Sequence, residues 1–129
     1  MPRRLAFALV LCGLAACRRP ALPELGSGDR DTAAGRRIFE RKCASCHNTN
    51  GDGKTIVASH LPYASLIDGA WRSDGSPGAI EKQVREGHDP MPKFQGKLTD
   101  EEIRQVVTYV GALSRAADKR RGPAGAAAR

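Results

Sequence analysis

The stretch Cys43-Ala44-Ser45-Cys46-His47 decides how the rest of this chain folds. Two thiols three positions apart can each form a thioether with one of the two vinyl groups of a haem. The residue that follows is then carried beneath the ring, where the imidazole of His47 can bind the iron. The spacing therefore predicts one covalent haem c, attached through Cys43 and Cys46 and ligated by His47.

Other uses of a Cys-x-x-Cys pair fit the chain less well. A zinc site needs two further ligands at similar spacing, whereas His60 and His88 are scattered along the sequence. A redox-active pair belongs at a strand-to-helix junction, and a disulfide across a two-residue spacer is strained. Aromatic residues make up only 5% of the chain, so a large apolar cofactor would also help to fill a thin core.

The N-terminus has the pattern of an export signal. Arg3 and Arg4 precede the apolar run 5–16, which is too short to span a bilayer. The last four residues of the pattern, Leu14-Ala15-Ala16-Cys17, resemble a bacterial lipobox. That resemblance implies cleavage before Cys17 and attachment of lipid to it, and an ordinary signal peptide cut nearby is the alternative. Export makes nucleic acid a poor candidate for a partner.

Composition divides the 129 residues into four parts. A lipoprotein signal peptide is expected over 1–16, a lipidated flexible tether over 17–32, a folded domain over 33–114 and a basic disordered tail over 115–129. The net charge of +7 comes mostly from the terminal segments, because the middle of the chain is close to neutral. A strongly cationic binding face is therefore not expected on the domain.

Three main helices and one short helix are predicted, and no segment alternates convincingly with the period of a strand. The first helix begins at Asp31 or Thr32 and runs to about Ala44. The second begins at Ser76-Pro77 and ends at Gly87, a plausible left-handed cap. A short helix is predicted over 63–68. The expected fold class is all-α with long loops.

The third main helix has the clearest signals. Thr99-Asp100-Glu101-Glu102 has the pattern of a capping box. An amphipathic stripe follows it, formed by Ile103, Val106, Val107, Val110 and Leu113.

A sixth iron ligand is predicted by elimination. Met1 is expected to leave with the signal, so Met91 is the one thioether of the remaining chain. Its flanking residues, Pro90 and Pro92, would hold an axial ligand rigidly. His88 is the competing ligand in the same loop, and a Met that serves only as soft packing is the other alternative.

Together these features resemble a class I cytochrome c over nearly all of 33–114. Gly35, Phe39 and the haem motif stand at that family's spacing, as do Met91-Pro92 and the last helix with Val106 and Tyr109. The stretch 66–92 looks like the small cytochrome modules attached to oxidases and dehydrogenases. The resemblance implies a small cytochrome c fold in which Gly35 and Phe39 pack against the last helix near Tyr109.

The resemblance also implies two residues around the haem. The family usually has a Pro soon after the haem motif, and its carbonyl accepts the N–H of the iron-binding His. Pro62 is the match here, and it would orient His47. Trp71 resembles a Trp that hydrogen-bonds a haem propionate in some relatives, and plain core packing is the alternative.

The function expected from these residues is one-electron transfer, not catalysis. Two axial ligands leave no open site on the iron, and a thioether favours Fe(II). No nucleophile–base pair or carboxylate pair is visible in the sequence. The implied partners are redox proteins (an oxidase, a dehydrogenase or a bc-type complex) on the periplasmic side of a bacterial membrane. A haem-based ligand sensor, or a catalytic haem subunit with a labile sixth ligand, is the alternative.

Overall fold

The computed structural model describes residues 30–122, which form four helices joined by long loops. These are α1 (Arg30–Lys42), α2 (Ala44–His47), α3 (Pro77–Glu86) and α4 (Asp100–Arg121). Within 30–122 there is no strand, and two isolated bridges join His88 to Met91 and Gln95 to Leu98. The prediction of an all-α fold with long loops is confirmed.

The helix ends follow the capping residues. The Ser76 side chain accepts a hydrogen bond from the Ala79 amide at 3.2 Å, and Pro77 occupies the first turn of α3. Thr99 and Glu102 form both hydrogen bonds of the predicted capping box at the start of α4. The first predicted helix is divided, because α1 ends at Lys42 and a turn at Cys43 leads into α2.

The core lies where α1 crosses α4. A Cβ atom on Gly35 would stand 1.9 Å from the Gln105 carbonyl oxygen, so only glycine permits this approach. Phe39 is fully buried, and its ring centroid lies 5.3 Å from that of Tyr109. The amphipathic stripe predicted for α4 is buried throughout: Ile103, Val106, Val107, Val110 and Leu113.

The short helix predicted over 63–68 is absent, and turns and bends occupy that segment. The Leu66 amide donates to the Gly51 carbonyl at 2.7 Å, which fastens the segment to the turn after α2. Tyr63 has a φ of 63°, outside the helical range. Tertiary contacts therefore override the helical pattern.

The prediction of a disordered tail is wrong for 115–121, which continue α4. Ala117 extends the buried stripe by one turn. The Arg121 side chain contacts the Ile67 carbonyl and the Asp118 carboxylate, and the Gly122 amide donates to the Asp118 carbonyl at 3.1 Å. Residues 1–29, which include Cys17, and 123–129 lie outside the described part. None of the helices within 30–122 is long and apolar enough to cross a bilayer.

Candidate functional site

An apolar cavity of about 400 Å³ opens between the helices and the long loops. Cys43, Cys46, His47 and Met91 all line it. The rest of its wall is largely aliphatic and aromatic: Phe39, Leu66, Trp71, Ile80, Val84, Phe94, Val106 and Val110. The fold thus brings His47 and Met91, which are 44 positions apart in the sequence, to the wall of one cavity.

The two cysteines are positioned by the turn between α1 and α2. The Cys43 amide donates to the Phe39 carbonyl at 2.8 Å, and the His47 amide donates to the Cys43 carbonyl at 2.9 Å. Both thiols are free, and both are half-buried. Burial, together with the nearby Cys46 sulfur, raises the pKa of the Cys43 thiol to about 11. Before haem is attached, Cys43 is therefore a protonated thiol at neutral pH.

The imidazole of His47 is oriented by a backbone carbonyl. Its Nδ1 atom lies 2.7 Å from the Ala64 oxygen. Because a carbonyl oxygen only accepts, Nδ1 carries the hydrogen and Nε2 keeps a free lone pair. Burial lowers the pKa of His47, and the hydrogen bond to Ala64 opposes this shift. A neutral imidazole with a free Nε2 is the form that binds iron.

The prediction that Pro62 supplies this carbonyl is wrong, because Ala64 supplies it. Pro62 is exposed and lies along the cavity wall two residues earlier. The register is set by Gly53, where a Cβ atom would lie 2.5 Å from the Ala64 backbone. That close approach presents the Ala64 oxygen to the ring.

The Met91 loop is tied to α3 by its backbone. The amides of His88 and Met91 each donate to the other's carbonyl, at 2.9 and 2.6 Å, and the Phe94 amide donates to Val84 at 3.0 Å. Gly87 ends α3 at a φ of 70°, and a Cβ atom there would lie 2.5 Å from the Lys93 nitrogen. The half-buried Met91 side chain is therefore presented by a closely packed loop.

One site residue, Gln83, was missed by the sequence analysis. Its Nε2 atom lies 3.9 Å from the Met91 sulfur, within reach of a weak hydrogen bond. Gln83 lies one helical turn before Gly87, and it lines the cavity next to Val84. The sequence does place this polar residue on the buried face of α3, and that placement could have indicated a role for it in the site.

Trp71 stands between two cavities. It lines the large cavity and also a cleft of about 350 Å³ bounded by α3 and α4. A Cβ atom on Gly75 would lie 2.6 Å from the indole, and the half-buried ring packs against the core. These contacts provide the packing role, and a hydrogen bond to a propionate stays a prediction.

The rim of the cavity is partly apolar. Val57 and Tyr63 line it while being 58% and 47% exposed. The adjacent Ile56 is fully exposed, and the Arg72 guanidinium lies 5.3 Å from the centre of the Tyr63 ring. Exposed His60 and His88 are also at the lining. We define Ile56, Val57 and Tyr63 as the apolar rim.

The donor set fits a haem better than a bare metal ion. Within 30–122, no three His, Cys, Asp or Glu side chains converge in a way that could hold one. Two free thiols, a neutral imidazole and a thioether share one apolar cavity instead. These residues and this fold define a small all-α domain of the kind that carries a c-type haem.

Comparisons with known proteins agree with this class. A family model described as cytochrome c oxidase, cbb3-type, subunit III matches residues 30–110. Cytochrome c6 from Euglena viridis is 38% identical over 77 residues, which cover 60% of this chain and 86% of that protein. Cytochrome c6 from Diacronema lutheri is 40% identical over 80 residues, with coverages of 62% and 93%.

A solved structure is similar as well. Cytochrome c6 from the diatom Phaeodactylum tricornutum superposes with a TM-score of 0.58 and 34% sequence identity. The match covers 68% of this chain and 99% of that one. The chain therefore belongs to the cytochrome c family, in its class I. Its cofactor is a covalently bound haem c, and it is an electron carrier and not an enzyme.

Proposed function

We propose that this protein passes single electrons between redox partner proteins through a haem held axially by His47 and Met91. The observation that carries the proposal is the presence of Cys43, Cys46, His47 and Met91 on one apolar cavity. When bound, the haem supplies a one-electron iron couple. The protein's own side chains and backbone groups attach, orient and shield it.

Each ligand is suited to a carrier. The Ala64 carbonyl fixes the His47 tautomer and makes the imidazole a better donor. The Met91 thioether is a soft ligand that favours Fe(II) and so raises the reduction potential. The apolar wall would limit the access of water to the iron, which would also raise the reduction potential. With His47 and Met91 both bound to it, the iron would have no site left for a substrate.

We also propose export and attachment to a membrane. The sequence supports an export signal over 1–16 and lipid attachment at Cys17 on the periplasmic side of a bacterial membrane. An oxidase is one proposed partner, since the matching family model is described as an oxidase subunit. A dehydrogenase or a bc-type complex is the other. Contact with a partner at the apolar rim would be transient, as is usual for redox encounters.

A potentiometric titration of the holoprotein tests the axial ligands. The oxidised protein is expected to show the weak sulfur-to-iron absorption band, and Met91→Ala is expected to lose it and to lower the potential. His88→Ala is the matched control, because His88 is the other candidate ligand of the same loop, and it should keep the band. A band that survives in Met91→Ala, or that disappears in His88→Ala, contradicts the proposal.

A further inference from the structure

The end of α4 carries exposed cations that do not line the large cavity. Arg115, Lys119 and Arg120 are exposed, and none of the ion pairs within 30–122 involves them. Arg115 and Lys119 lie one turn apart, on the side of α4 away from buried Ala117. We call these three residues the helix-end cluster.

The cluster is held in a fixed place on the domain. Ala117 is 4% exposed, so this turn of α4 is anchored in the core. Beside it, Arg121 is occupied by the Ile67 carbonyl and the Asp118 carboxylate. A surface contact through the helix-end cluster would therefore orient the whole domain.

The location of the cluster indicates what kind of partner it meets. None of its three residues lines the large cavity, whereas Val57 and Tyr63 of the apolar rim do. A redox partner must approach the haem and hence the cavity. A cationic patch elsewhere on the domain fits a different anionic surface, one that can be occupied during electron transfer.

We propose that the helix-end cluster binds anionic lipid headgroups and holds the carrier on the membrane with its apolar rim free. The use of this contact in the cell rests on the proposed lipid attachment at Cys17. Residues 17–30 span at most about 50 Å when fully extended, so an anchored domain stays close to the surface. Anchoring would raise the effective concentration of the cluster at that surface.

Vesicle binding tests the proposal. The holoprotein from residue 18 onward, exported behind a cleavable leader, keeps all four helices and carries no lipid. It is expected to sediment with vesicles of phosphatidylcholine and phosphatidylglycerol but not with phosphatidylcholine alone, and salt should weaken the binding. Lys119→Gln with Arg120→Gln should lower the partition coefficient about 25-fold, since each basic residue near an anionic surface contributes about fivefold.

A matched pair elsewhere on the domain provides the control. Arg37→Gln with Lys82→Gln removes two exposed cations from α1 and α3 and should change binding much less. Equal losses in the two double variants, or equal binding of the holoprotein to neutral vesicles, would overturn the proposal. A cluster that binds an acidic protein instead would leave the anionic vesicles unbound.

The haem spectrum of each sample is recorded separately. A failure of the proposed His47–Met91 ligation is therefore distinguishable from a failure of membrane binding. Mass spectrometry of the chain exported behind its own signal tests lipid on Cys17 independently.

Discussion

Two residues of this protein act through the proposed iron ligands rather than at the iron. Ala64 accepts the Nδ1 hydrogen of His47, and Gln83 lies beside the Met91 sulfur. Both interactions come from neutral groups inside an apolar cavity, where an added formal charge would be expensive. The protein can thus adjust the basicity of both ligands with amide groups alone.

Replacement of Gln83 by Leu is expected to lower the reduction potential. An amide donor withdraws electron density from the Met91 sulfur and so favours Fe(II), and Leu removes that donor. A weak hydrogen bond of about 0.5–1.5 kcal/mol corresponds to roughly 20–60 mV for one electron. Potentiometric titration measures the shift.

Gln95→Leu serves as the control, because Gln95 is exposed and lies outside the cavity lining. It should leave the potential unchanged. A potential that does not fall in Gln83→Leu would show that the amide does not act on the sulfur.

At the scale of the helices, the crossing of α1 over α4 depends on one missing side chain. Gly35 brings its backbone against Gln105 and Tyr109. Gly35→Ala would force the two helices apart, because the new Cβ atom meets backbone that cannot yield. The free energy of unfolding should fall by about 3 kcal/mol, measured by guanidinium denaturation of the holoprotein.

Gly78 offers a control of the same chemistry. A Cβ atom on Gly78, in α3, would have nothing within 4 Å. Gly78→Ala should therefore keep or slightly raise stability, by up to about 1 kcal/mol. If the two alanine variants were equally stable, the close crossing would not matter to the fold.

The boundary of the whole domain gives a further prediction. A chain cut after Leu113 loses buried Ala117 and the contact of Arg121 with the Ile67 carbonyl. It should be about 2 kcal/mol less stable than the full holoprotein, from one small apolar side chain and one hydrogen bond. A cut after Gly122 should have no such effect. Equal stabilities of the two truncated proteins would show that residues 115–121 do not stabilise the domain.

Local patterns predicted much of this architecture. The capping residues Ser76 and Thr99 and the stripe of α4 each depend on neighbours in sequence, and all three predictions are confirmed. The wrong predictions fall where contacts between residues far apart in sequence determine the local structure. The segment 63–68 packs against Gly51 and Gly53, so the helix predicted there from the local pattern is absent. The same packing places the Ala64 carbonyl, and not that of Pro62, beside His47.

The prediction of a disordered tail at the end of α4 failed for a related reason. Its charges favour a solvated tail, but Ala117 is small enough to extend the buried stripe, and Arg121 reaches a carbonyl 54 positions away. Gln83 was missed because its partner, Met91, is brought to it by a loop rather than by helical spacing. Contacts of this kind can be identified only in the folded chain.

The ligation of the iron by His47 and Met91 is tested most directly by the absorption spectrum of the reduced holoprotein before and after addition of CO. Low-spin bands that do not change with CO would show that both axial positions are filled, as expected for an electron carrier with His47 and Met91 as ligands. A shift on addition of CO would show an open or labile sixth position. That result would contradict a permanent His47–Met91 ligation, and ligand sensing or catalysis would become the better explanation of this cavity.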